Sequence, residues 1–205
     1  SDLQKKYFEN LKDIDPTYYK TFTLGERSTR SIRIYNHFKS FKGYPLHIDE
    51  TVFGLDLGFN HPTALVRVDR SEDEYFVKEL IYESNLTTTD LIQRLNKIPD
   101  SKKHTMYVDT SRPEVIEELK RAGFRAAGAI KDVKPGIDFI RSKSIRIHEE
   151  SLNLFNEYKR YSWKTVNDVQ TDEPIKLFDD ALDAMRYAIY SSQKKQTNPG
   201  YFKFY

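Results

Sequence analysis

At 205 residues the chain is long enough for one substantial α/β domain plus a tail, with a core that buries well over half of the unfolded surface. It contains no cysteine, which excludes a disulfide framework, a thiol nucleophile and cysteine-bound zinc and suits a reducing compartment. Its 33 basic and 31 acidic residues leave a formal charge of +2, so any nucleic-acid surface must come from segregation of charge. Neither a signal peptide nor a run of about 18 apolar residues is present, so no membrane partner is expected.

In chain order, Leu3, Tyr7, Leu11 and Ile14 recur at helical spacing, which predicts a short amphipathic helix ending near Asp15-Pro16. Arg27 to Lys42 sets Arg27, Arg30, Arg33, Lys39 and Lys42 among Ile32, Ile34, Tyr35, Phe38 and Phe41. Such a segment suits an edge strand near a phosphate backbone; it equally suits a solvated edge whose charges prevent aggregation.

Thr51 to Asp69, TVFGLDLGFNHPTALVRVD, reads as two apolar strands broken by Gly58, Asn60 and Pro62, a hairpin in a mostly buried sheet. Asp56 lies inside the first apolar run, where an ionised carboxylate is costly unless a cation, a charged partner or several donors compensate it. It is a candidate site residue; its plainer role is to bond turn amides. Glu74 to Glu83 predicts a third strand, completing an antiparallel meander. Thr89-Asp90 is expected to cap a helix that turns Leu91, Ile92 and Leu95 inward.

The pattern then alternates. His104 to Asp109 is a strand, Pro113 to Ala122 a helix started by Ser111 or Arg112 and ended by Gly123, and Phe124 to Ile130 another strand. That succession implies parallel pairing with sites at the carboxyl ends of strands, where Asp109 lies. Lys131 to Ile147 is the most basic stretch and follows a strand next to the expected site. Its Lys131, Lys134, Arg141 and Lys143 either lie on a DNA path or belong to an ordinary surface helix and short strand. Residues 148–161 read as a helix through Leu152, Leu154, Phe155 and Tyr158. Asn156 to Gln170, with Lys159, Arg160, Trp163 and Lys164, reads as a hairpin with an exposed Trp that touches DNA.

Phe178 to Gln193 is the last helix. Asp180, Asp183 and Tyr187 fall within about 60° of one another around it, so both carboxylates share a face. Like charges at this spacing repel, and Asp183 sits among Leu182, Ala184 and Met185, so something cationic is expected there. Lys194 to Tyr205 reads as a flexible or docking tail.

Asp56, Asp109 and Asp183 thus come from three elements that an α/β sheet with a packed terminal helix can bring together. Uncompensated, they would neutralise one another through raised pKa values. Divalent cations remove that penalty, and all-oxygen ligands favour Mg²⁺ or Mn²⁺. Two such ions about 3.5–4 Å apart serve phosphodiester hydrolysis, so the expected chemistry is metal-dependent cleavage of nucleic acid.

The residues also carry a resemblance. A hairpin with GLDLG-x-x-HP-x-A, a strand ending VD-x-x-x-PE and a helix D-A-L-D-A-x-R-Y-A resemble the nuclease domain of large terminase subunits, the genome-packaging motors of tailed bacteriophages. The likeness spans roughly Arg30 to Ser192, and residues 15–25 resemble the segment joining that family's ATPase to its nuclease. It implies a ribonuclease H-like (resolvase/integrase-like) mixed central sheet flanked by helices. It further implies cutting of double-stranded DNA concatemers, with Asp56, Asp109 and Asp183 as the three catalytic metal-binding acids. Lys131 matches a recurring lysine of the family and is expected either to bind phosphate or, equally, to be an intramolecular partner for Asp132 or Asp109. Asp180, where many members have His, would bind or tune the second ion. The family's partners are an ATPase domain, a small terminase subunit and a portal, and its setting is the host cytoplasm. The domain reading is a linker at 1–25, the nuclease at 26–193 and the tail at 194–205. No Walker A pattern occurs, so the chain reads as a nuclease domain excised from, or naturally separate from, its motor.

Two other readings compete. GLDLG is also similar to the phosphate-binding turn of sugar kinases and actin-like ATPases, which need a duplicated second domain and a Gly-rich adenosine loop. A catalytically silent DNA-binding module would explain the basic stretches, but not acids at three buried places.

Overall fold

The computed structural model describes residues 33–167 and 169–197. The expectations for residues 1–25, for Arg27, Arg30 and Ile32, and for the tail from position 198 onward lie outside the described residues. The rest falls into two compact units, residues 37–157 with 178–197, and residues 33–36 with 158–177.

The larger unit is built on the expected meander. Alternating apolar residues make strands β2 (Glu50–Asp56), β3 (Thr63–Ser71) and β4 (Glu74–Glu83), paired antiparallel. Strands β1 (Lys39–Phe41), β5 (Thr105–Val108), β6 (Arg125–Gly128) and β7 (Ser144–His148) complete a seven-stranded sheet of order β1-β7-β4-β3-β2-β5-β6. The pairings outside the meander are parallel, so the sheet is mixed. The basic segment before the meander contributes only the edge strand Lys39–Phe41.

Helices α1 (Thr88–Asn96) and α2 (Pro113–Arg121) cover one face. Phe53 and Leu55 of β2 and Leu65 of β3 pack there with Leu91, Leu95, Val115 and Leu119. Each such fully buried side chain contributes roughly 1.5–3 kcal/mol relative to exposure. The cap of α1 is Thr87, two residues earlier than expected, because Thr87 and Asp90 close a reciprocal capping box. Gly123 ends α2 as expected, at φ 90, a region that an L side chain rarely adopts.

The basic stretch resolves into α3 (Val133–Arg141) followed by β7, the helix-and-strand alternative. Helix α4 (Leu152–Arg160) departs from its apolar reading: Leu152 is exposed, Leu154 is buried, and the other buried residue is Glu157. Helix α5 (Asp180–Thr197) covers the second face of the sheet, against β2, β3 and β5, with α3 beside it. It starts two residues later than expected because Phe178 adopts φ 49, outside helical geometry. It also runs four residues past Gln193, so the first residues assigned to the tail are helical. None of the described helices is long and apolar enough to cross a membrane.

In the smaller unit, β8 (Trp163–Val166) and β9 (Val169–Pro174) form a hairpin, later in the chain than the expected Asn156 to Gln170 because α4 runs to Arg160. Trp163 is buried at 4% exposure, which corrects the expectation of an exposed Trp. Tyr35 stacks on Tyr161, and the Ile34 amide donates to the Tyr161 carbonyl.

Candidate active site

The site begins with β2. Side chains alternate along a strand, so Val52, Gly54 and Asp56 face α5 while Phe53 and Leu55 face the opposite core. A Cβ on Gly54 would lie 1.8 Å from the Ala184 carbonyl oxygen, so only glycine lets the helix backbone approach so closely. That approach carries Asp183, next to Ala184, toward Asp56. The turn after β2 is equally tight: the Thr63 hydroxyl donates to the Gly58 carbonyl at 2.6 Å, and a Cβ on Gly58 would meet the His61 carbonyl at 2.4 Å.

Asp56 ends β2. Its burial, then the charges of Asp183, Asp109, Asp180 and Asp179, push its carboxyl up to about 8. At neutral pH the group is therefore largely protonated unless a cation joins it.

Asp109 follows β5, beside β2, and its amide donates to the Leu55 carbonyl at 2.9 Å. The carboxylate accepts from the Ser111 amide at 3.1 Å and the Ser111 hydroxyl at 2.6 Å, and pairs with Lys131 Nζ at 2.5 Å. Burial works to raise its pKa, but the bonds from Lys131 and Ser111 outweigh it and hold the group below its ordinary value.

Asp183 is 8% exposed and pairs with Arg186 Nη2 at 2.9 Å, one turn along α5. Arg186 lies over the Tyr187 ring, 4.9 Å from its centroid. It is itself buried, in a space opened by Gly136 of α3, where a Cβ would come within 2.8 Å of Arg186 Cδ. This guanidinium supplies the cationic neighbour expected near Asp183. Burial and then the charge of Asp179 push Asp180 up to about 6, against the lowering influence of His61.

Asp56, Asp109, Asp180 and Asp183 are thus brought into one electrostatic neighbourhood, each in the field felt by Asp56. Asp179 adds a carboxylate that the sequence reading passed over, although the DD pair was its visible signal. Among the described residues no three His, Cys, Asp or Glu side chains are placed so that together they could hold a metal ion. Asp109 is paired with Lys131 and Asp183 with Arg186 in this arrangement. The four basic candidates do not form one cluster around the acids. Lys131 pairs with Asp109, whereas Lys134 and Arg141 pair with Asp138 at 2.8 and 3.9 Å, and Lys143 lies 5.0 Å over the Phe139 ring.

The mixed seven-stranded sheet and the placement of its helices are those of a ribonuclease H-like fold. Among solved structures, the large terminase nuclease domain of bacteriophage SPP1 with bound Mn is similar at a TM-score of 0.68 and 20% identity, over 76% of this chain and 97% of that one. The nuclease domain of the P22 large terminase is similar at 0.63 and 18% identity, over 79% and 92%. The large terminase of a thermophilic bacteriophage is similar at 0.61 and 23% identity, over 76% of this chain and 43% of that one. The chain therefore has the fold of large terminase nuclease domains, and it spans about half of the thermophilic phage's protein. No protein-family model and no curated protein matches the chain.

Proposed function

We propose that the chain is a metal-dependent endonuclease that cuts double-stranded DNA concatemers during viral genome packaging. The observation that carries this reading is Asp56, a strand-end carboxylate pushed up to about 8 by burial and by four neighbouring aspartates, in a fold of this kind. A structure that crowds acids against their own repulsion needs a reason, and an all-oxygen donor set fits a hard divalent ion. Asp56, Asp109 and Asp183, with Asp180 beside them, would hold Mg²⁺ or Mn²⁺, two ions by this account. When bound, the metal supplies charge neutralisation and activation of water for phosphodiester hydrolysis.

The chain's own residues prepare that site. Ser111 holds both oxygens of Asp109, leaving it ionised and oriented. Lys131 keeps a positive charge at Asp109 and is 44% exposed, free to turn toward a phosphate. Arg186 holds Asp183 on the face shared with Asp180. Lys134, Arg141 and Lys143 extend positive charge along α3 and its end, a path for the duplex. By the same reading the protein works in the host cytoplasm with an ATPase domain, a small terminase subunit and a portal.

Plasmid incubated with the protein and Mn²⁺ tests the proposal. Linear or nicked product that disappears on chelation supports it. Intact plasmid across Mn²⁺ and Mg²⁺ titrations refutes it, and ATP turnover in that case would favour the kinase-like alternative.

A further inference from the structure

A buried acid outside the expected site holds the helix on which half of that site is mounted. Glu157, near the end of α4, is 2% exposed. Its Oε2 accepts from the Leu182 amide at 2.9 Å, the Ala181 amide also bonds it, and its Oε1 accepts from the Tyr82 hydroxyl at 2.9 Å. The first amides of a helix have no intrahelical partners. In α5 the ladder begins with the Asp183 amide on the Asp179 carbonyl at 2.7 Å, so Ala181 and Leu182 depend on an outside acceptor. That acceptor is not a neighbour in sequence, and it is tied through Tyr82 to β4 of the sheet.

Ala181 and Leu182 are the residues between Asp180 and Asp183. Fixing their amides fixes the rotation of the first turn, and at about 100° per residue a small rotation swings both carboxylates away from β2. We propose that Glu157 is a positioning residue for the acidic site: through Tyr82 and the Ala181 and Leu182 amides, it sets the first turn of α5 so that Asp180 and Asp183 face Asp56. The part of this inference that concerns metal rests on the proposed function. Burial pushes Glu157 up to about 9, so a neutral amide of the same shape is its near equivalent.

The experiment compares the wild type with Glu157→Ala, Glu157→Gln and Tyr82→Phe, and with Leu95→Ala as a control that destabilises the opposite face of the sheet. Two quantities are read: Mn²⁺ affinity from the electron paramagnetic resonance of free Mn²⁺, and hydrogen exchange of the Ala181, Leu182 and Asp183 amides without metal. Glu157→Ala should weaken Mn²⁺ binding by about ten-fold or more, as loss of outer-shell partners does, and should deprotect those amides. Glu157→Gln should restore both, because its carbonyl can accept from the amides while its NH₂ donates to the phenolic oxygen. Leu95→Ala should lower the melting temperature and leave Mn²⁺ affinity in place.

Unchanged affinity and exchange in Glu157→Ala would overturn the inference, as would an equal loss of affinity in Leu95→Ala. If Glu157→Ala does not fold, Tyr82→Phe must shift both readouts in the same direction to a smaller extent, and no shift there overturns it. A wild type that binds no Mn²⁺ would defeat the proposed function, while amide exchange would still decide whether Glu157 sets α5.

Discussion

Gly54 of β2 and Ala184 of α5 meet so closely that a single methyl group on the glycine would lie 1.8 Å from the Ala184 carbonyl oxygen. The contact is backbone against backbone, so no flexible side chain can yield. It places the residue after Asp183 directly over the residue two before Asp56. Gly54→Ala should therefore push α5 off the sheet, at a cost of about 3 kcal/mol or more, the upper end for overpacking. Thermal melting would register the loss, and cleavage should fall with it. A variant that melts like the wild type would mean that α5 is not seated as described.

The acids set the pH response of the metal-free protein. Asp56, Asp180 and Glu157 are raised to about 8, 6 and 9 from ordinary values of 3.8, 3.8 and 4.5. Their contributions are full below the unfolded values and are lost as pH rises through the folded ones. Asp109 is lowered, so its contribution is present above 3.8 and is lost as pH falls through its folded value. In chelator, the melting temperature should thus decline from about pH 5 to about pH 9, and Asp56→Asn should flatten the decline around Asp56's own value. Mn²⁺ should reverse the decline in the wild type only. The same substitution should abolish cutting while the fold persists.

Much of this was legible beforehand. The turn residues Gly58, Asn60 and Pro62 between apolar runs carry the hairpin, and the strand-helix-strand succession from His104 to Ile130 carries the parallel pairing and the strand-end position of Asp109. Where partners are local, pattern suffices. What escaped the sequence depends on distant partners. Glu157 looks like any surface glutamate on a helix; its burial is decided by Tyr82 and Leu182, 75 and 25 positions away. Trp163 lies among basic residues that suggest exposure, yet it is buried. The insertion of β7 between β1 and β4 follows from parallel pairings with no short-range signal. The Thr87 cap was visible as a Thr-x-x-Asp box, but three successive threonines left its register open.

Asp180 and Asp183 share a helix face but differ in setting. Asp183 is buried and held by Arg186, whereas Asp180 is more open and lies among Asp179 and His61. Asp183→Ala should eliminate cleavage at any metal concentration. Asp180→Ala should raise the Mn²⁺ concentration for half-maximal cutting and retain measurable activity. A metal titration of both variants checks this, and identical curves would show that the roles are wrongly divided.

Lys131 answers to Asp109 in the metal-free protein. Lys131→Met should lower metal-free stability by about 1 kcal/mol, because the lysine is partly exposed and Ser111 remains to bond the carboxylate. Neutralising Lys131, Lys134, Arg141 and Lys143 together should weaken DNA binding and flatten its salt dependence by about one unit of slope for each phosphate no longer engaged. An unchanged slope would return these residues to the role of a solvated surface.

The most direct measurement is anomalous diffraction from crystals of the protein soaked in Mn²⁺. The account predicts manganese among Asp56, Asp109 and Asp183, two ions with Asp180 at the second, and Lys131 Nζ displaced from Asp109. Crystals whose protein still cuts DNA but show no manganese at these carboxylates, or show it at another cluster, would contradict it.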